Sequence, residues 1–197
     1  MKSVKNYTRY SRTIKKSEFI THLIPCNHLE DIEHLINKYS KNDASHNCKA
    51  YIIGTHEKAD DDGEPSGTAG LPMLNVLKRQ ELTNILVIVT RYFGGIKLGA
   101  GGLTRAYTNS VADALKKAEI VEKELVKLYQ INTDYHFSKK IEYMIHTANL
   151  PLLSISYDTH VHYQIYLKNP SFLDQIKDLT SNQYSYKIIG EDYIEKY

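Results

Sequence analysis

Two charged, glycine-bearing segments hold the residues of this sequence that could do chemistry. One runs Asp60-Asp61-Asp62-Gly63-Glu64-Pro65 into Ser66-Gly67-Thr68-Ala69-Gly70; the other, V-T-R-Y-F-G-G-I-K-L-G-A-G-G-L-T-R, spans 89–105. Asp61, Asp62 and Glu64 supply hard oxygens of the kind a Mg²⁺-type ion takes. Ser66 and Thr68 precede a helical pattern, where a hydroxyl caps the helix or meets an oxyanion. In the second segment Arg91, Lys97 and Arg105 are spaced through five of the chain's ten glycines. Glycines let a backbone approach a ligand closely, and the free N–H groups of a helix start attract anions. The natural partner is anionic. The alternative is that the carboxylates and cations pair with one another while the glycines serve tight turns.

Several named chemistries fail on spacing. No G-x-x-x-x-G-K-[ST] occurs, and Gly99-Ala100-Gly101-Gly102 lacks both the dinucleotide spacing and an acid on a following strand. Cys26-x-His28 and His46-x-Cys48 offer four metal-ligand types, but a spacing of two on a strand chelates poorly, so both cysteines read as buried. No nucleophile–base signature accompanies them. No catalytic residue is assigned, and neither a bound metal nor a cofactor is expected. His46 reads as a loop-structuring residue or a surface contact.

The elements that must position these residues follow from periodicity. Residues 84–89 form an apolar, β-branched run suited to a buried strand, and 103–115 repeat apolar residues at helical spacing, giving strand, glycine loop, helix. Upstream, the pattern predicts strands over 17–24 and 48–53 and helices over 29–39 and 71–78, with one more strand possible over 10–15. Residues 55–65 read as a polar, acidic loop. After the charged boundary Glu122-Lys123-Glu124 the order is strand 125–135, helix 139–148, strands 152–157 and 160–168 around Asp158-Thr159, helix 172–179 and strand 184–189. That β-α-β-β-α-β order is the ferredoxin-like pattern. Along 160–168, Val161, Tyr163, Ile165 and Leu167 should lie beneath the helices, with His162, Gln164 and Tyr166 on the open face, where aromatic and basic groups can meet RNA.

Composition sets the outer bounds. The chain has 197 residues, 42% hydrophobic and 24% charged, enough for one large domain or two small ones with real cores. No apolar run reaches the ~20 residues a membrane span requires, and the N-terminus lacks a secretory signal's apolar region. Two cysteines make no disulfide scaffold, so a cytoplasmic setting is expected. Charge is unevenly spread: residues 1–121 hold 17 Lys and Arg against 13 Asp and Glu, while 122–197 hold 8 against 10. The first sixteen residues carry six cations and no acid, which reads as a basic arm for phosphates or as a solvated terminus.

The chain resembles the YigZ/IMPACT family. The likeness rests on Thr13 to Ile20, His46-Asn47-Cys48 with Ala50-Tyr51, Asp61 to Gly70, and Arg91 to Arg105 nearly throughout. One departure is Asp60, where the family more often has serine. The resemblance implies an α+β protein of two domains. The first, 1–121, would share the fold of a small-subunit ribosomal protein's second domain and elongation factor G's fourth; the second, 122–197, would be ferredoxin-like. Eukaryotic relatives look like regulators of translation under amino-acid stress, acting through a protein partner that an additional domain, lacking here, would engage. Carried over by position, the candidate surface is His46, Asp61, Asp62, Glu64, Ser66, Thr68, Arg91, Lys97 and Arg105.

Three functions fit these observations. The first is a non-enzymatic protein that binds RNA or the ribosome and modulates translation. The second is a metal-assisted hydrolase or phosphoryl-transfer enzyme working through Asp61, Asp62 and Glu64. The third is a protein–protein adaptor in stress regulation. The missing nucleophile–base pair favours the first over the second.

Overall fold

A computed structural model describes residues 1–196. Among them are ten strands and five α-helices, a mixed α/β architecture in two compact units, Met1–Glu122 and Lys123–Tyr197.

The first unit is built around one strand, β6 (Ile85–Tyr92). Its neighbours are β3 (Ser17–Pro25) and β4 (His46–Ile53); β2 (Thr8–Ile14) and β5 (His56–Asp60) form the edges, and every ladder is antiparallel. The unbroken apolar run of β6 follows from burial on both faces. Ile85, Val87 and Val89 face a core shared with α2 (Gly70–Arg79) and α3 (Ala100–Leu115), while Leu86 and Ile88 face Ile32, Leu35 and Ile36 of α1 (Ile32–Tyr39). Period-two alternation therefore sorts one strand's side chains into two separate cores.

β5 falls inside the stretch read as an acidic loop. It is an edge strand, exposed or half-exposed along its length, so neither face carries the apolar alternation that marks a strand. The basic arm is also structured. β1 (Lys2–Val4) pairs with the start of β7 (Ile120–Thr133), Lys2 and Lys5 meet Glu81 and Glu119, and Arg12 meets Asp113 at 2.7 Å. Lys15 and Lys16 form the two-residue turn between β2 and β3, both at positive φ, as a type I′ hairpin demands.

β7 continues into the second unit, where α4 (Ser138–Thr147), β8 (Leu152–Tyr157), β9 (Val161–Leu167), α5 (Ser171–Thr180) and β10 (Tyr184–Glu195) follow. The sheet order is β10-β7-β9-β8, all antiparallel. Val161, Tyr163, Ile165 and Leu167 are buried with Ile141, Ile145, Phe172 and Ile176, while His162, Gln164 and Tyr166 are half-exposed, as the alternation predicts. β10 runs six residues past its expected end because it pairs along almost the whole of β7.

Two glycines are required by close approach. A Cβ on Gly94 would overlap the Lys16 carbonyl, and one on Gly70 would overlap the backbone of Asp60. Gly94→Ala should cost about 1–3 kcal/mol in urea unfolding, whereas Gly95→Ala meets no atom and is strained only by its φ of +83°. His22, 4% exposed and bonded through Nδ1 to the Tyr7 hydroxyl, is held neutral: burial first, then Arg9 and Lys41, push its imidazole down to about 4. The unfolded chain takes up that proton nearer pH 6.5, so the His22 contribution to stability should be flat above that pH. It should fall by roughly 2–3 kcal/mol between there and pH 4. Unfolding curves across that window check it, and the slope attributable to this group should vanish in His22→Gln.

Candidate functional site

The site begins with Glu64. Its carboxylate is almost wholly buried, yet Oε1 takes two strong hydrogen bonds, from Arg91 Nη1 at 2.6 Å and from the Tyr107 hydroxyl at 2.7 Å. Arg91 stands near the end of β6, Tyr107 on α3 and Glu64 on the acidic loop, so one carboxylate ties three separated segments. The guanidinium lies 5.5 Å from the ring centroids of both Phe19 and Phe93, and its Nη2 reaches Ser17 Oγ at 3.4 Å. Cys48, on β4, extends the chain: its Sγ lies 3.2 Å from the Tyr107 oxygen and 3.0 Å from the Asp61 carbonyl. Burial pushes the Cys48 thiol up to about 12 and raises the Tyr107 hydroxyl as well, so both stay protonated at neutral pH. Both cysteines are buried, as expected from the sequence.

The acidic loop is held by its own carboxylates. Asp61 Oδ1 accepts from the Ala69 and Gly70 amides at 2.9 and 2.8 Å, and Oδ2 accepts from Gly67 N–H at 2.7 Å. Asp61 thus caps α2 from a distance of eight residues and more. Of the two roles the sequence offers Ser66 and Thr68, cap or oxyanion contact, the cap is not taken up: Ser66 is exposed, and Thr68 donates to the Pro65 carbonyl at 2.6 Å. Asp62 Oδ2 accepts from the Asn47 amide, and Lys49 lies between Asp60 and Asp62 at 3.1 and 3.6 Å. The Asp62 amide, with help from Lys49, holds the Asp60 carboxyl below its usual range. His46 Nδ1 sits 2.8 Å from the Asp62 carbonyl; because a carbonyl only accepts, Nδ1 carries the proton and Nε2 is turned towards Glu64 Oε2, 3.8 Å away.

These groups border a cleft of about 490 Å³ lined by residues that include His46, Glu64, Arg91, Phe93, Lys97 and Ala100. α3 starts at its rim. Gly99, at φ +71°, is the cap residue, no side chain caps this end, and no acid lies in the first turn. Such a helix end carries about half a positive charge and presents unbonded N–H groups. Lys97 is exposed and forms no ion pair among the described residues. Of the sequence-derived set, His46, Glu64, Arg91 and Lys97 line the cleft; Asp61, Asp62 and Thr68 brace the loop beside it. Ser66 and Arg105 are exposed and do not border it.

Sequence reasoning missed Tyr107, Ser17 and Phe93. Tyr107 belongs to an ordinary apolar helix stripe, and nothing along the chain marks its hydroxyl as the partner of Glu64. Ser17 Oγ accepts from the Gly94 amide at 3.2 Å, which secures the glycine loop to the β2–β3 turn. Phe93, 49% exposed between Arg91 and the glycines, was readable as an aromatic among cations.

The pattern of the Impact N-terminal domain matches residues 15–115. The chain is 40% identical to IMPACT family member YvyE of Bacillus subtilis (strain 168) over 202 residues, covering 98% of this chain and 93% of the relative. It is 34% identical to IMPACT family member YigZ of Escherichia coli (strain K12) over 155 residues, 75% of this chain and 76% of that one. A crystal structure described only as that of a hypothetical protein aligns with a TM-score of 0.64 at 30% identity, over 95% of this chain and 96% of its own.

If Asp61 is the cap of α2, Asp61→Ala should lower unfolding stability by about 2 kcal/mol. Ser66→Ala should stay within about 0.5 kcal/mol of the parent. Chemical denaturation of the two variants side by side measures the difference.

Proposed function

The chain belongs to the IMPACT family, and from that membership and the geometry of the cleft we propose that it is a non-enzymatic protein that binds RNA or the ribosome and modulates translation. The observation that carries this reading is the uncapped start of α3 beside Lys97, which forms no ion pair among the described residues, and the half-exposed Phe93. Together they offer positive potential with an aromatic face, the combination that backbone phosphate and a stacked base require. The family's translational role enters through the resemblance to its eukaryotic regulators. In this reading residues 1–121 are the binding domain and 122–197 a ferredoxin-like companion, a name supported by the β10-β7-β9-β8 order. The protein works in the cytoplasm, where its ligand is.

The metal-assisted hydrolase has less support. Asp61 is occupied by three backbone amides, Asp62 by Asn47 and Lys49, and Glu64 by Arg91 and Tyr107. Those carboxylates do not converge on a common point open to an ion. An adaptor role would use the same exposed residues, and nothing in the cleft favours it over nucleic acid.

Lys97 is the residue to test, because Arg91 is also part of the core. Lys97→Ala should weaken binding of a labelled single-stranded RNA by roughly 3–10-fold at low salt. It should also flatten the slope of log affinity against log salt by about 0.7, the share of one phosphate contact. Fluorescence anisotropy measures both, and an unchanged affinity and slope would reject the reading.

A further inference from the structure

Glu64 is an odd neighbour for an anion site. Its side chain is about 97% buried, and Arg91 and Tyr107 both bond the same oxygen, Oε1. Among the described residues Oε2 has no hydrogen-bond partner, and it is not among the polar atoms sealed away from solvent without one. The one polar group turned towards it, His46 Nε2, stays at 3.8 Å, beyond hydrogen-bond reach. Both residues line the cleft with Lys97 and the first residues of α3. A deeply set carboxylate oxygen is therefore presented to the same cleft as the cationic rim.

A carboxylate oxygen accepts hydrogen bonds and donates none, and it repels phosphate oxygens. A bare phosphate would satisfy the rim and be rejected by the floor. The occupant that satisfies both carries an anionic group and, beside it, a hydroxyl donor. The cleft also has Phe93 as an apolar shelf, backed by the Arg91 guanidinium. Its volume lies within the ~300–1,000 Å³ usual for small-molecule pockets, enough for one nucleotide unit.

We propose that this cleft selects RNA over DNA, with the phosphate at Lys97 and the start of α3, the base on Phe93, and the ribose 2′-hydroxyl donating to Glu64 Oε2. The proposal rests on the nucleic-acid reading above and adds to it the group that distinguishes the two polymers. Tyr107 and Arg91 act on the other oxygen; they fix the carboxylate's rotation so that Oε2 faces the ligand. A hydrogen bond to a charged acceptor is among the stronger ones, and its loss leaves a buried oxygen with no partner in the complex.

The experiment compares three labelled single strands of one sequence on the intact protein: RNA, 2′-O-methyl RNA and DNA. RNA should bind at least ~10-fold more tightly than either other strand. The methyl ether keeps the sugar's oxygen and RNA-like pucker but cannot donate, so it separates a hydrogen bond from a preference for shape. Glu64→Gln gives a second, opposite readout. Tyr107 and Arg91 still donate to Oε1, which places the amide nitrogen in the cleft as a donor, so this variant should bind 2′-O-methyl RNA within about 3-fold of RNA. Equal binding of all three strands by the unsubstituted protein, with affinity still falling in Lys97→Ala, would overturn the selectivity and leave the nucleic-acid reading standing. Absence of binding to every strand would overturn both. The three-strand comparison on the unsubstituted protein decides the matter even if Glu64→Gln fails to fold.

Discussion

The buried ion pair between Glu64 and Arg91 is the constraint on which the cleft-bearing face of the first unit depends. Each side chain is nearly inaccessible, at 3% and 6% exposure, and the contact is 2.6 Å. Taking both charges out of water is expensive, and the pair need not add net stability over an apolar substitute. Removing one partner is a different matter, since the charge left behind is buried and uncompensated, a cost of about 3–5 kcal/mol. What the pair secures is position. It holds the acidic loop against the end of β6, and Tyr107 ties the same oxygen to α3.

Around that pair the two glycine-bearing segments are fastened by unlike devices. The acidic loop is closed by backbone amides on Asp61 and by Asn47 and Lys49 on Asp62. The cationic loop is seated by Gly94, which has no room for a side chain above Lys16 and donates its amide to Ser17. Among the described residues the acidic loop and the cationic loop pair with each other only through Glu64 and Arg91. Arg91 is consumed by Glu64, while Lys97 and the start of α3 stay open. The pairing reading offered by residue types therefore holds for Arg91, and the anion-binding reading has Lys97 and the start of α3 left to rest on.

The elements with strong periodicity were legible along the chain. β6, α3, β9 and the alternation within β9 follow from period two and period 3.6, because burial imposes those periods on apolar residues. The elements without such burial were not. β5 is polar on both sides, and β1 is three residues long and is identified by its partner at Ile120–Glu122. The basic arm illustrates the same limit: Lys2, Lys5 and Arg12 look free in sequence and are paired with acids far along the chain.

The sequence by itself determined the family, the two-part order of elements and the two segments that form the cleft, since these rest on local motifs and local periodicity. It also placed His46, Glu64, Arg91 and Lys97 among the residues to watch. Only the tertiary structure decided their roles. Whether a carboxylate is a ligand, a cap or half of an ion pair depends on which backbone amides and cations come within three ångströms of it, and those arrive from distant positions. Asp61 and Glu64 stand three residues apart in one motif, yet one holds a helix and the other is half of a buried ion pair at the edge of the cleft.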